Sequence, residues 1–133
     1  MKNTLRFLLL AVSAIAALAA DVKKVSPSEA AQLVKSGQAV LVDVREPAEW
    51  AQSGVAEPAV LLPKSDFDGA QAQWKGFLEK NQGKQVILYC RSGKRADTVA
   101  TALAAKGIAT ANAGGYVDWE KAGLPTRKVE AKP

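Results

Sequence analysis

The sequence contains no histidine and only one cysteine, Cys90. The lack of histidine excludes Cys–His and Ser–His–Asp catalysis, and any metal site that depends on histidine ligands. The lack of a second cysteine excludes an internal disulfide, so the fold must rest on its own hydrophobic core. Any activation of Cys90 must therefore come from nearby charges and backbone dipoles, and we expect no metal and no cofactor.

The N-terminal segment Met1–Ala20 is typical of a secretory signal peptide. Two cations lie near its start, Phe7–Leu18 is almost continuously apolar, and small residues at its end predict cleavage after Ala19 or Ala20. The apolar run is shorter than the roughly 20 residues that a spanning helix needs, so no membrane span is expected after cleavage. An uncleaved anchor is the alternative. In a Gram-negative source the predicted location is the periplasm, and otherwise the cell exterior or surface.

The positive charge of the chain is modest and unevenly placed. The formal net charge is +5, and two of the cations lie in the predicted leader. Only the loop after Cys90 is densely positive, which is typical of a local anion site and not of a nucleic-acid surface. We therefore expect no nucleic-acid partner, one domain over residues 21–125, a flexible tail over residues 126–133 and, by default, a monomer.

Short apolar runs alternate with helical segments along the mature chain. Strands are predicted at 21–25, 39–44, 60–62, 86–89 and 108–113, and helices at 27–36, 45–50, 67–81, 96–106 and 116–121. The strand runs do not alternate with polar residues, as expected when both faces of a sheet are covered. The pattern predicts an α/β fold, a single domain with a mostly parallel sheet of about five strands and helices on both faces.

Cys90 is predicted to lie where the strand Val86–Tyr89 ends, shortly before a helix that opens at Ala96. In open α/β sheets, ligands bind at this end of the strands. Backbone N–H groups in such a loop, with the helix dipole behind them, favour a bound anion and the thiolate form of a cysteine. The loop consists of three cations, a serine and a glycine: Arg91, Ser92, Gly93, Lys94 and Arg95.

A lone cysteine at the end of a strand is often no more than a small buried core residue. A structural cysteine would not need this loop beside it, because its cations would be poorly placed against a core. We therefore interpret Cys90 as a nucleophile within an anion-binding loop.

Three stretches of the chain together resemble the rhodanese family of sulfurtransferases. Leu41–Trp50 is close to the D-x-R-x-x-x-E-aromatic signature, and Cys90–Ala96 is similar to the C-R-S-G-x-R loop of the single-domain, thiosulfate-using members. Asn112–Trp119 with Gly123–Pro125 resembles the closing G-G-x-x-x-W…G-L-P segment. In this order and spacing the motifs are specific, and the resemblance runs from about residue 25 to residue 125. It implies a rhodanese-like domain.

The segment Gln52–Pro63 departs from the family pattern. Family members usually carry a G-H-I-x-G-A-x-x-I-P run here, whereas this chain lacks the histidine and has Glu57–Pro58 in place of Gly–Ala. That histidine is chiefly structural in the family. We therefore expect the change to alter the local loop conformation, and with it one wall of the site, more than the activity.

The resemblance implies a two-step sulfur transfer through Cys90. The thiolate attacks the outer sulfur of a small anionic donor such as thiosulfate, sulfite leaves, and a persulfide remains on the cysteine. A thiophilic acceptor then takes that sulfur, which implies cyanide, a cellular thiol or an acceptor protein as the second partner.

The loop residues would hold the anions of this reaction, and two nearby residues would support them. Arg95 is expected to close the anion cradle, or else to pack against Asp43 or a loop carbonyl. Arg91 and Lys94 bind the anion or only steer it electrostatically. Ser92 donates to the persulfide or satisfies the turn, and Gly93 supplies backbone freedom. Asp43 and Arg45 are interpreted as supports near the site, and Glu49 as structural.

Two other functional classes use similar chemistry. Cysteine-dependent phosphatases and arsenate reductases also place an arginine after a cysteine, but their loops are typically one residue longer than the four residues that separate Cys90 from Arg95. A non-catalytic thiol carrier or redox partner would need the same loop, and so it remains an alternative.

Overall fold

The structure is a computed structural model that describes residues 22–131, so the predicted leader Met1–Ala20 lies outside the described residues. The strands are β1 Lys23–Lys24, β2 Ala39–Asp43, β3 Val55–Ala56, β4 Val60–Leu61, β5 Gln85–Cys90, β6 Thr110–Gly115 and β7 Thr126–Arg127. The helices are α1 Pro27–Lys35, α2 Pro47–Ser53, α3 Lys64–Asp68, α4 Ala72–Lys80, α5 Lys94–Ala105 and α6 Tyr116–Lys121. Strand and helix alternate along most of this range, as the apolar runs predict.

The main sheet has five strands in the order β1–β6–β5–β2–β4, and every neighbouring pair is parallel. The predicted α/β fold with a mostly parallel sheet of five strands is therefore confirmed. The strand that carries Cys90 is the central one, between β6 and β2. Its carboxyl end lies beside the carboxyl ends of both neighbours, so the loops that follow these three strands meet at one edge of the sheet.

Both faces of this sheet are buried, which explains the unbroken apolar runs of its central strands. On one face, Val42, Leu88 and Cys90 pack with α4 and α5 through a cluster that includes Trp74 and Leu103. On the other face, side chains of β2, β5 and β6 pack with α1 and α6: Leu41, Ile87, Tyr89, Ala111, Ala30, Tyr116 and Trp119. The side chain of Cys90 therefore belongs to the face that α5 covers.

The helix predicted over residues 67–81 is wrong in its extent, because two short helices, α3 and α4, occupy this region. Gln71 adopts the left-handed backbone conformation, with a φ of 56°, which ends helical propagation. The carboxylate of Asp66 accepts hydrogen bonds from the backbone N–H groups of residues 72, 73 and 74 at 3.0–3.1 Å. These contacts begin a new helix, because they satisfy the free donors of its first turn.

The flexible tail predicted over residues 126–133 is also wrong at its start. Thr126 and Arg127 form β7, which pairs antiparallel with β3 in a small second sheet. The guanidinium of Arg127 donates to the carbonyl oxygens of Glu57 and Ala59 at 3.1 and 2.9 Å. The segment that departs from the expected family pattern is therefore fixed by long-range contacts that its local sequence does not reveal.

Among residues 22–131, the helices are too short to cross a lipid bilayer.

Candidate active site

Cys90 is the last residue of β5, and its side chain is completely buried. Its sulfur accepts a hydrogen bond from the backbone N–H of Gly93, with an N···Sγ distance of 3.0 Å. The helix α5 begins at Lys94, two residues before the predicted start, so only Arg91–Gly93 lie between strand and helix, and Lys94 and Arg95 of the loop form the first turn of α5. The sulfur therefore lies at the carboxyl end of the central strand and beside the N-terminus of a 12-residue helix, whose dipole favours negative charge there.

The loop returns to the sulfur because of the backbone conformation of Gly93. This residue has a φ of 96°, in the region that glycine occupies without strain. Its carbonyl oxygen accepts a hydrogen bond from Nδ2 of Asn112 at 2.9 Å, and also receives the N–H of Asp97 in the first turn of α5. Both sides of Gly93 are thus held, the N–H by the sulfur and the carbonyl by Asn112 and the helix.

The end of β6 closes around the same loop. The strand extends past its predicted end at residue 113, because residues 114 and 115 form its last part, where its register with β5 shifts between Leu88 and Cys90. A Cβ atom on Gly115 would lie 2.4 Å from the carbonyl oxygen of Arg91. Only glycine allows this approach, and the contact sets how closely the start of the loop lies against β6.

Arg95, expected to close the anion cradle or else to pack against Asp43 or a loop carbonyl, forms a two-pronged ion pair with Glu49 of α2. Its two terminal nitrogens lie 2.6 and 2.9 Å from the carboxylate oxygens. The N–H of Glu46 also donates to Glu49 at 3.1 Å and so fixes the carboxylate on its helix. The Arg95 guanidinium lowers the pKa of Glu49 to about 2. In return Glu49, with a smaller contribution from the nearby Cys90, raises the pKa of Arg95.

The remaining loop side chains lie at the surface. Arg91, Ser92 and Lys94 are exposed. The Ser92 hydroxyl accepts a long hydrogen bond from the N–H of Lys94 at 3.5 Å. As exposed cations, Arg91 and Lys94 can attract an anion without holding it in a fixed geometry.

Asp43 and Arg45 form a buried ion pair at the end of β2, with an Nη2···Oδ2 distance of 2.8 Å. Burial alone would lower the pKa of Arg45, but the Asp43 carboxylate, with smaller contributions from Tyr89 and Glu49, more than offsets this, so the pKa is raised. The guanidinium also donates to Ser53 and to the carbonyl of Gly54, each at 2.8 Å, and it stacks on Tyr116 at 4.5 Å from the ring centroid. The pair thus braces both ends of the segment that contains α2 and Glu49.

A groove of about 710 Å³ opens beside the loop. The loop contributes Ser92, Gly93 and Lys94 to its wall, and the rest comes from α5, β6, the edge strand β1 with the residue after it, and the first turns of α1 and α6. Its charged and polar lining outside the loop comprises Lys24, Asp97, Thr98, Asn112 and Asp118. The groove is large for a donor of a few atoms such as thiosulfate, since drug-sized ligands occupy pockets of about 300–1,000 Å³.

Two residues that contact the loop were missed as site residues by the sequence analysis. Glu49 was expected to be only structural, and Asn112 appeared only as part of the closing motif. The signal for Asn112 was available, because an amide side chain within a strand of small residues is costly to bury without partners. No such signal was available for Glu49, because its partner Arg95 lies 46 residues away in the chain.

Comparisons with known proteins agree with this fold. A family model described as the rhodanese-like domain matches residues 26–122. An uncharacterised protein of Synechocystis is 32% identical over 111 residues, which cover 82% of this chain and 58% of that protein. The chain thus spans less than two thirds of the length of this curated relative.

Solved structures show the same fold. The human single-domain sulfurtransferase is 27% identical, with a TM-score of 0.58, and the match covers 75% of this chain and 96% of that one. The polysulfide-sulfur transferase homodimer of Wolinella succinogenes is 24% identical, with a TM-score of 0.65 and coverage of 83% and 81%. At that identity the second likeness concerns the fold alone.

Substitution of Gly115 by alanine should displace the loop. The new methyl group would meet the Arg91 carbonyl, so we expect the free energy of unfolding to fall by about 1–3 kcal/mol. Amide chemical shifts should change mainly over residues 90–95. Gly76→Ala in α4, where a Cβ meets nothing within 4 Å, is the matched control and should be neutral or stabilising. Equal effects of the two substitutions in urea denaturation would contradict the argument.

Acid should weaken the Glu49–Arg95 pair. The pKa of Glu49 is about 2 in the folded protein against its usual 4.5, so the stabilisation is fully present above 4.5 and is lost as the pH falls towards 2. The stability difference between the wild type and Glu49→Gln should therefore be largest above about pH 5 and shrink below about pH 3. Urea denaturation across this pH range measures the stability difference. Glu79→Gln, at an exposed position, is the control. A difference independent of pH would refute the assignment.

Proposed function

The chain belongs to the rhodanese-like domain family, and from this we propose that it transfers sulfane sulfur from thiosulfate, or a similar anionic donor, through a persulfide on Cys90 to cyanide or a thiol. One observation carries the proposal: the sulfur of Cys90 lies against the N–H of Gly93, at the N-terminus of α5. The likeness to a human sulfurtransferase that is matched over nearly its whole length supports the same reaction class.

The first step requires an anionic sulfur that can attack another sulfur. The Cys90 thiolate forms a bond to the outer sulfur of thiosulfate, the S–S bond of thiosulfate breaks, and sulfite leaves with the electron pair. The cysteine then carries a persulfide, Cys–S–S⁻. Thiolate and persulfide are both anions, so the Gly93 N–H and the dipole of α5 stabilise the reactant and the product of this step.

The second step regenerates the thiolate. Cyanide or a thiolate attacks the outer sulfur of the persulfide, forms a new bond to it, and releases Cys90 as the thiolate. Electrons and sulfur balance between donor and acceptor, so no separate oxidant, reductant or metal is needed. The exposed Arg91 and Lys94 raise the local concentration of the anionic donor near the loop.

The substitution Cys90→Ser should abolish this activity. Purified protein without the leader should produce thiocyanate from thiosulfate and cyanide, and thiosulfate alone should add the mass of one sulfur atom. The serine variant should show neither, because its hydroxyl cannot form a persulfide.

Three results of this experiment separate the alternatives. A sulfur adduct with turnover supports the proposed enzyme. A sulfur adduct without turnover points to a carrier whose acceptor is a protein. Neither signal, with Cys90 shown to be reduced, overturns the proposal and makes a phosphatase substrate screen the next experiment.

We also propose that the protein acts outside the cytoplasm, in the periplasm of a Gram-negative source. The basic and apolar pattern of Met1–Ala20, followed by small residues, supports this. Expression of the full chain in such a host should yield a periplasmic product whose intact mass corresponds to cleavage after Ala19 or Ala20. A full-length product retained in the cytoplasm would contradict the prediction.

A further inference from the structure

Asn112 is a buried amide side chain that joins β6 to the loop after Cys90. Its Nδ2 donates to the carbonyl oxygen of Gly93 at 2.9 Å, and its Oδ1 accepts from the N–H of Gly114 at 2.8 Å. Only 7% of the residue is exposed. Both ends of the amide are therefore used, one within its own strand and one across the site.

The hydrogen bond to Gly93 acts on the most adaptable residue of the loop. Glycine can rotate about φ and ψ with little steric cost, so its conformation must be fixed from outside. The N–H of Gly93 donates to Sγ of Cys90, and the carbonyl oxygen of the same residue accepts from the amide of Asn112. Holding the carbonyl limits rotation about ψ, and through the planar peptide it also sets the direction of the Lys94 N–H.

This hydrogen bond is not needed to satisfy the carbonyl itself. The oxygen of Gly93 already accepts the N–H of Asp97 at 2.9 Å, in the first turn of α5. The neighbours of Asn112 on β6 are Ala111 and Ala113, both buried. An apolar residue between them would avoid the cost of burying an amide. The extra hydrogen bond therefore adds orientation to a group that is otherwise already paired.

We propose that Asn112 is a positioning residue for the sulfur chemistry. It holds Gly93 in the conformation in which the N–H points at the sulfur of Cys90, and so keeps that donor on the thiolate and on the persulfide. The catalytic part of the inference rests on the proposed sulfur transfer, whereas its effect on the thiolate of the resting protein does not.

The test compares two substitutions of Asn112 with a control on the same strand. Asn112→Asp keeps an acceptor for Gly114 but replaces the donor to Gly93 with an anionic oxygen, and Asn112→Ser is neutral but too short to reach Gly93. Thr110→Val is the matched control, because Thr110 is also buried in β6 and donates to α5, at the carbonyl of Ala100. It removes a buried hydrogen bond to the same helix away from the loop.

Two measurements are made on the folded protein. The ultraviolet absorbance of the thiolate at neutral pH reports the charge on Cys90 without any substrate. Steady-state kinetics with thiosulfate and cyanide report kcat and KM separately. We expect both Asn112 variants to lose thiolate absorbance. Their kcat should fall by about 10- to 100-fold, because one oriented hydrogen-bond donor is lost, and their KM for thiosulfate should stay within about twofold. Thr110→Val should leave both readouts unchanged.

Several results would overturn the proposal. The first is a wild-type thiolate signal and a wild-type kcat in both Asn112 variants. The second is an equal loss of thiolate signal and kcat in Thr110→Val. The third is a loss only in Asn112→Asp, which would indicate charge repulsion. If the wild type transfers no sulfur, the proposed function fails on its own, and the thiolate absorbance of the variants still decides whether Asn112 positions Gly93.

Discussion

The parallel pairing of β5 with both β2 and β6 is the constraint on which the site depends. It brings the carboxyl ends of three strands to one edge of the sheet, so that residues distant in sequence meet there. The central strand delivers Cys90, β6 delivers Asn112 and Gly115, and β2 leads into the turn and helix that carry Glu49. Without this pairing, the loop after Cys90 would have no wall on either side.

The loop is stabilised by two different kinds of contact on its two sides. On the β6 side one contact is steric and one is a hydrogen bond, since Gly115 lets the Arg91 carbonyl approach and the Asn112 amide donates to Gly93. On the α2 side the contact is electrostatic, between Arg95 and Glu49. The first kind fixes the direction of the backbone near the sulfur, and the second fixes the position of the Arg95 guanidinium.

Sequence reasoning found what is encoded locally. The apolar runs predicted the parallel sheet, and the residues around Cys90 predicted a cysteine at a strand end before a helix. The partner of Arg95 and the role of Asn112 were not predictable in this way, because both depend on register between elements 46 and 19 residues apart. The break between α3 and α4 was missed for a different reason: the contacts of the Asp66 carboxylate are local, but helical periodicity does not reveal that Gln71 adopts a left-handed conformation.

The pairing of β7 with β3 has a consequence for how the protein is made. A hydrogen bond links Arg127 to Glu57, 70 residues apart, and a Cβ on Gly54 would lie 2.8 Å from the Arg127 carbonyl oxygen. The small sheet of β3 and β7, which adjoins α2 and the carbonyl oxygen that Arg45 binds, can therefore be completed only after the chain has been synthesised through Arg127. While the residues from Cys90 to Arg127 are being added, a nascent chain that emerges amino end first would hold Cys90 in an unfinished fold, since contacts of such long range form late.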